Sequence, residues 1–283
     1  MIVSRIMGGL GNQMLQYAIG RNLAIKNELE PLWLDLSWYQ TTSCDPFFRK
    51  FELHKLNTVY QPVDHKSIIW KLRFTDHLKF VNPFKYKKVI EKQYASFDET
   101  ILQSGNNILL QGFFPSYKYF EGIREILQKE FVPKFQMNLQ NVSALHKIKA
   151  VNSVSVHIRR GDYALTGAHG ILDKSYYERA LQYLSTQVEN IELFIFSDEP
   201  QWVDQNMHFE FPYQIMDFNK GDCSYFDLEL MKSCKHNVIA NSTFSWWAAW
   251  LNPNPEKKVV APQHWLNVDI NKMQNIPEEW VVM

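Results

Sequence analysis

Ile2-Val3-Ser4-Arg5-Ile6-Met7-Gly8-Gly9-Leu10-Gly11-Asn12-Gln13 decides the fold. Residues 2–7 read as a strand and Gly8 to Gly11 as a tight turn. Residues 12–27 read as a helix whose apolar stripe is Met14, Leu15, Ala18, Ile19, Leu23 and Ala24. Leu32-Trp33-Leu34-Asp35-Leu36 is a second strand. A strand, a crossover helix and a strand form a βαβ unit, the connection that parallel strands require.

Residues 40–135 are less regular, with a buried strand expected at 108–112 and a helix over 117–130. The polar, weakly patterned stretch 136–150 is the expected domain junction. A second βα series follows, with strands near 153–158, 191–196, 213–216, 237–240 and 257–261. Helices are expected near 174–188, 199–206, 224–234 and 244–251. Alternating strands and helices give a mostly parallel sheet. The fold class is therefore α/β, with two facing Rossmann-like domains at 1–140 and 150–283 and a cleft between them. The last ~20 residues are expected to pack back on the first domain.

Bulk properties narrow the function. The chain has 283 residues, 46% hydrophobic and 14% aromatic, ample for sizeable cores. A formal net charge of zero argues against nucleic acid as the partner. Cys44, Cys223 and Cys234 form neither a metal spacing nor an even disulfide set, which suits a reducing compartment. The apolar run at the N-terminus is too short for a signal peptide or anchor, so a cytoplasmic location is expected. Peripheral association with the inner face of the membrane stays open. The acceptor sequons at Asn141 and Asn241 are read as unglycosylated.

Four segments could carry chemistry. Val154-Ser155-Val156-His157-Ile158 alternates like a strand and runs into Arg159-Arg160-Gly161-Asp162-Tyr163. Alternation gives His157 and Arg159 a common direction and turns Arg160 elsewhere. Arg159 is thus the better anion ligand, since a guanidinium fork matches phosphate oxygens. Arg160 is expected to pair with Asp162 or another carboxylate. Taken alone, the segment reads equally well as a structural Arg–Asp cluster.

Gly8 to Gln13 could let backbone approach a ligand at a helix start. It lacks the spacing of a dinucleotide fingerprint and reads more simply as a turn with Asn12 as N-cap. Phe196-Ser197-Asp198-Glu199-Pro200 follows an apolar strand, where polar groups face a ligand crevice or cap the next helix. Asn241-Ser242-Thr243-Phe244-Ser245-Trp246-Trp247 offers hydroxyls and N–H groups at a helix start, which suits phosphate. Trp246, Trp247 and Trp250 are expected in the core. Asp227 could accept two hydrogen bonds from a guanine edge, or be a surface carboxylate. No Asp-x-Asp metal clamp, His-Glu-x-x-His or Cys-x-x-Cys occurs.

Together these segments resemble the α-1,2-fucosyltransferase family (glycosyltransferase family 11), its bacterial members in particular. The resemblance implies a GT-B-like enzyme that moves L-fucose from GDP-β-L-fucose to the 2-OH of a terminal galactose, with inversion. The partners it implies are GDP-fucose and a galactose-terminated glycan. It implies no metal and no further cofactor. It casts Arg159 as the β-phosphate ligand, with His157 and Asp227 near guanosine. Ser242, Thr243, Phe244 and Ser245 form the phosphate-side turn, with Ser197 and Asp198 beside it; Asn12 and Gln13 face the donor. Asp35 is a candidate catalytic base, although a structural carboxylate is the plainer reading. The alternatives are a GT-B transferase using another sugar nucleotide, and a non-catalytic glycan- or nucleotide-binding protein.

Overall fold

A computed structural model describes residues 1–41, 49–63, 87–161, 170–265 and 275–283. The described chain separates into two compact units, one running to Phe131 and including Asn275, the other starting at Val132 and including Ile276–Met283.

The first unit holds a five-stranded parallel sheet ordered β3-β2-β1-β5-β4. Its strands are β1 (Ile2–Arg5), β2 (Leu32–Asp35), β3 (Tyr60–Pro62), β4 (Lys87–Ile90) and β5 (Ile108–Gln111). The crossover helix α1 (Leu10–Lys26) lies close on it. At Gly20 an added Cβ would sit 2.8 Å from Leu32 Cδ1, so glycine permits this approach. Two single-turn helices, α2 (Trp38–Thr41) and α3 (Glu99–Leu102), decorate the connections, and α4 (Arg124–Glu130) ends the unit. A buried network ties α1 to α4. Tyr17 Oη donates to Glu130 Oε2 at 2.6 Å, and Arg21 Nε donates to Glu130 Oε1 at 2.9 Å.

The single helix expected over 117–130 is broken. Tyr117–Tyr119 and Glu121–Ile123 are 3-10 turns, and Phe120 at φ −143° leaves the helical region before α4 begins. The expected junction at 136–150 also differs. The units part after Phe131, and Leu139–Ala150 is a helix, α5, capped by the Asn138 side chain. Its inward face is only Asn141, Ala144 and Ile148, while Leu139 is 88% exposed. A buried asparagine and an exposed leucine hide the helical period.

The second unit holds a six-stranded parallel sheet ordered β11-β10-β9-β6-β7-β8. The strands are β6 (Asn152–Ile158), β7 (Ile191–Ser197), β8 (Tyr213–Ile215), β9 (His236–Val238), β10 (Val259–Ala261) and β11 (Val281–Val282). Among the described residues, the α-helices that follow α5 are α6 (Lys174–Gln187), α7 (Pro200–Asn206), α8 (Tyr225–Ser233) and α9 (Thr243–Leu251). The closing strand β11 pairs with β10 of this sheet, and Met283 N–H donates to Ala261 O at 3.0 Å. Asn275, by contrast, groups with the first unit, so the closing stretch, expected on the first domain, is divided between the two units.

Counted from β6, the order is that of a doubly wound nucleotide-binding sheet, reversing direction between β6 and β9. Both faces are covered, which is why β6 is buried at Ser153 and Ser155 as well as at its apolar positions. Val154, Val156 and Ile158 join Tyr176, Tyr177, Ala180, Leu181 and Leu184 of α6 in one cluster. On the other face Asn237 Nδ2 donates to Ser155 Oγ at 2.7 Å, so the buried serine is satisfied. Trp246, Trp247 and Trp250 are buried, as expected of core residues.

Candidate functional site

In an open parallel sheet, ligands bind beyond the carboxyl ends of the strands where the order reverses. In the second unit that place is the end of β6 beside the end of β9. His157 and Arg159 stand at the first end, and Ser242 to Ser245 follow the second. The two ends meet through His157 and Phe244, whose ring centroids lie 6.0 Å apart.

The β6–β7 ladder sets what happens next. His157 pairs with Phe196 and Ile158 with Ser197. The same register carries Arg159 to Asp198 and Arg160 to Glu199. Arg159 Nη1 lies 3.1 Å from Asp198 Oδ2, and the Arg160 backbone N–H donates to Asp198 Oδ1 at 3.0 Å. One carboxylate therefore holds the side chain of the first arginine and the backbone of the second. Gly161 is tight against it, since a Cβ there would lie 2.5 Å from Asp198 Oδ2. The Arg160 side chain turns away, as alternation predicts. Its Nε lies 3.1 Å from Glu199 Oε2, and its guanidinium carbon is 3.4 Å from the Trp202 ring centroid. The carboxylate partner is Glu199; Asp162 and Tyr163 lie outside the described residues.

His157 is 5% exposed, and burial together with the Arg159 charge pushes its pKa down to about 3. The imidazole is neutral at physiological pH, with Nδ1 buried and lacking a hydrogen-bond partner. Its backbone carbonyl accepts from Tyr177 Oη at 3.2 Å, which anchors the strand end to α6. Ser197 Oγ accepts from Glu199 N–H at 3.0 Å in the turn ahead of α7, whose N-cap is Glu199 with no side-chain cap, so neither Ser197 nor Asp198 caps the helix, and Asp198 serves the arginines.

Ser242 is the N-cap of α9, accepting from Phe244 N–H at 3.4 Å, and Ser245 Oγ donates to Ser242 O at 3.3 Å. Thr243 and Phe244 are half-buried in the first turn. The helix start thus brings hydroxyls and first-turn backbone N–H groups beside His157, a setting that attracts an anion. Asp227 sits in the first turn of α8, at the same edge, because a crossover helix begins at the carboxyl ends of the strands. It accepts from Asn219 Nδ2 at 2.8 Å, and Asn219 in turn exchanges amide hydrogen bonds with Asn141. Burial pushes the Asp227 carboxyl up to about 7. Asn219 and Asn141 were not legible as partners, being far apart in the chain with no shared pattern. Both sequon asparagines are sealed: Asn141 is 0% exposed and Asn241 is 1% exposed, its amide donating to Gly170 O.

The first-unit candidates are more structural. Asn12 lies inside α1, whose N-cap is Gly9, so Asn12 is not the cap. Its side chain folds over Gly8, which adopts φ +79°, a left-handed conformation that favours glycine, and an added Cβ would lie 3.0 Å from Asn12 Nδ2. Gln13 is fully buried. Its Nε2 donates to Gly8 O and Lys50 O, and its Oε1 accepts from the Glu52 and Leu53 N–H groups. That amide is saturated with protein partners, so it braces the 50–53 segment and has nothing left to offer a donor. Asp35 is 6% exposed, with Oδ1 accepting from Ser37 N–H at 2.9 Å and Oδ2 at 4.0 Å from Arg5 Nε. In this state it is a turn-forming carboxylate.

Two Rossmann-like α/β units, the second with its arginines at the switch point, are the architecture of a GT-B glycosyltransferase. The chain belongs to glycosyl transferase family 11, whose profile matches residues 5–283. It is 33% identical to the O-antigen biosynthesis glycosyltransferase WbnK of Escherichia coli, over 98% of this chain and 99% of that one. It is 32% identical to an Escherichia coli alpha-1,2-colitosyltransferase, over 99% of this chain and 98% of the relative. A galactoside alpha-(1,2)-fucosyltransferase 1 of Saimiri boliviensis boliviensis shares 25% identity over 86% of this chain and 63% of its own length. Among solved structures, the R284K mutant of Arabidopsis thaliana FUT1 in complex with GDP shares the fold at TM-score 0.50. The match has 11% identity and covers 91% of this chain and 69% of that one. Among the described residues no helix is long and apolar enough to cross a membrane.

Proposed function

We propose that this glycosyltransferase moves L-fucose from GDP-β-L-fucose to the 2-OH of a terminal galactose, with inversion and without a metal ion. The observation that carries the reading is the placement of Arg159 at the switch point of the second sheet, braced by Asp198. Its guanidinium suits the β-phosphate. The hydroxyls and N–H groups of Ser242, Thr243 and Ser245 suit the same diphosphate, while neutral His157, Phe244 and Asp227 suit the nucleoside.

As the bond between sugar C1 and the phosphate oxygen breaks, its electron pair passes to the diphosphate. A preorganised cation stabilises that charge as it grows. The acceptor oxygen forms the new bond on the opposite face, and its proton leaves to a base or to water. The relatives named for α-1,2 linkages support the regiochemistry.

A donor carrying colitose is the second reading, favoured by the similarity to the colitosyltransferase. The test is product analysis with several deoxysugar and hexose nucleotides and a panel of galactose-terminated acceptors, with and without EDTA. An α-1,2-fucoside formed equally well in EDTA supports the proposal. Transfer from another donor only, or activity abolished by EDTA, contradicts it.

A further inference from the structure

We propose that Trp202 and Glu199 are positioning residues that hold Arg159 on the departing diphosphate by immobilising Arg160. This rests on the phosphate role given to Arg159 above. Arg160 is gripped on two sides: Trp202 stacks on its guanidinium at 3.4 Å, and Glu199 holds Nε at 3.1 Å. Trp202 is itself packed on the core cluster of the second unit, so its ring is a fixed plate. With the side chain of Arg160 held, its backbone is held. The Arg160 N–H then fixes one oxygen of Asp198 at 3.0 Å, and the other oxygen fixes Arg159 at 3.1 Å. The sequence is Trp202 and Glu199 to Arg160, Arg160 to Asp198, Asp198 to Arg159.

An unbraced arginine samples many rotamers, and ordering it then weighs against every phosphate contact it makes. An arginine already aimed loses little on binding, which is what preorganisation means energetically. Arg160 is therefore a brace and not a second phosphate ligand: reaching a ligand would cost it both the stacking contact and the ion pair.

The test compares GDP with GMP, which lacks the β-phosphate, by titration calorimetry on the full chain. Wild-type protein is expected to prefer GDP. Trp202→Ala is expected to lower GDP affinity about tenfold, some 1.4 kcal/mol, while leaving GMP affinity unchanged. Trp202→Phe, which keeps a ring face, is expected to retain most of the GDP preference. GMP binding doubles as the folding control. An unchanged GDP-to-GMP ratio in Trp202→Ala overturns the proposal. Should that variant lose GMP as well, Glu199→Gln decides the matter: a reduced ratio supports the brace and a wild-type ratio overturns it. A wild-type protein with no preference for GDP would bring down the phosphate reading itself, and the brace with it.

Discussion

Arg159 and Asp198 are each about a fifth to a quarter exposed, 19% and 24% at the side chain, so their ion pair adds little to stability. Its value is orientation. Arg159→Ala is expected to leave the thermal midpoint within a few degrees and to cut kcat by about 10²–10³, the usual effect of losing one donor to a developing oxyanion. Comparing kcat with the melting curve separates the two effects, and a variant with unimpaired turnover would contradict the role. His157, pushed down to about 3, stays uncharged through the working pH range and contributes no limb to the pH–rate profile there. Asp227 titrates with the opposite sign. The folded state raises its carboxyl to about 7, so it holds the proton more tightly than the unfolded chain does. The stability this linkage contributes is complete below about 4, the ordinary carboxylate value, and is lost as pH rises through about 7. Asp227→Asn keeps an oxygen for Asn219 and removes the titration. Its melting temperature should gain steadily on wild type between those limits and level off above them; parallel curves would sink this account of Asp227.

At the scale of elements, the arginine turn is built by strand register. A one-residue slip of β6 against β7 would bring Arg159 to a different partner and turn its side chain to the other face. Gly161 guards the arrangement, because any side chain there displaces the Asp198 carboxylate 2.5 Å away. Gly161→Ala is expected to fold and to lose turnover at least tenfold, about 1.4 kcal/mol of barrier; initial rates measured beside a melting curve check it, and a fully active variant would contradict it. Such elements were legible to different depths. The strands β1, β6 and β7 and the helices α1, α6 and α9 carry strong periodicity or glycine and serine punctuation, and the expected ranges fall within a residue or two of the observed ones. Helix α5 was missed because its buried face includes Asn141, satisfied by Asn219 from a distant segment. The short edge strands β3, β4 and β11 take their identity from pairing partners and not from their own pattern. Within the site, Arg159 and His157 could be read from alternation. The capture of the Gln13 amide by Lys50, Glu52 and Leu53 could not, since a long-range hydrogen bond leaves no mark on local sequence.

For the molecule as a whole, two parallel sheets divide the chain, and the second has the strand order and switch point of a nucleotide-binding domain. Family membership spans nearly the whole chain, so the reaction class covers both units. Zero formal net charge gives no net attraction for an anion, so recognition of the proposed diphosphate donor would rest on local groups. The central claim is that one of those groups, the Arg159 guanidinium, takes up the charge of the leaving diphosphate. A crystal structure of the protein with GDP bound tests it most directly. The account predicts an Arg159 nitrogen within hydrogen-bonding distance, about 3 Å, of a β-phosphate oxygen. An Arg159 still turned wholly onto Asp198, away from both phosphates, would contradict it.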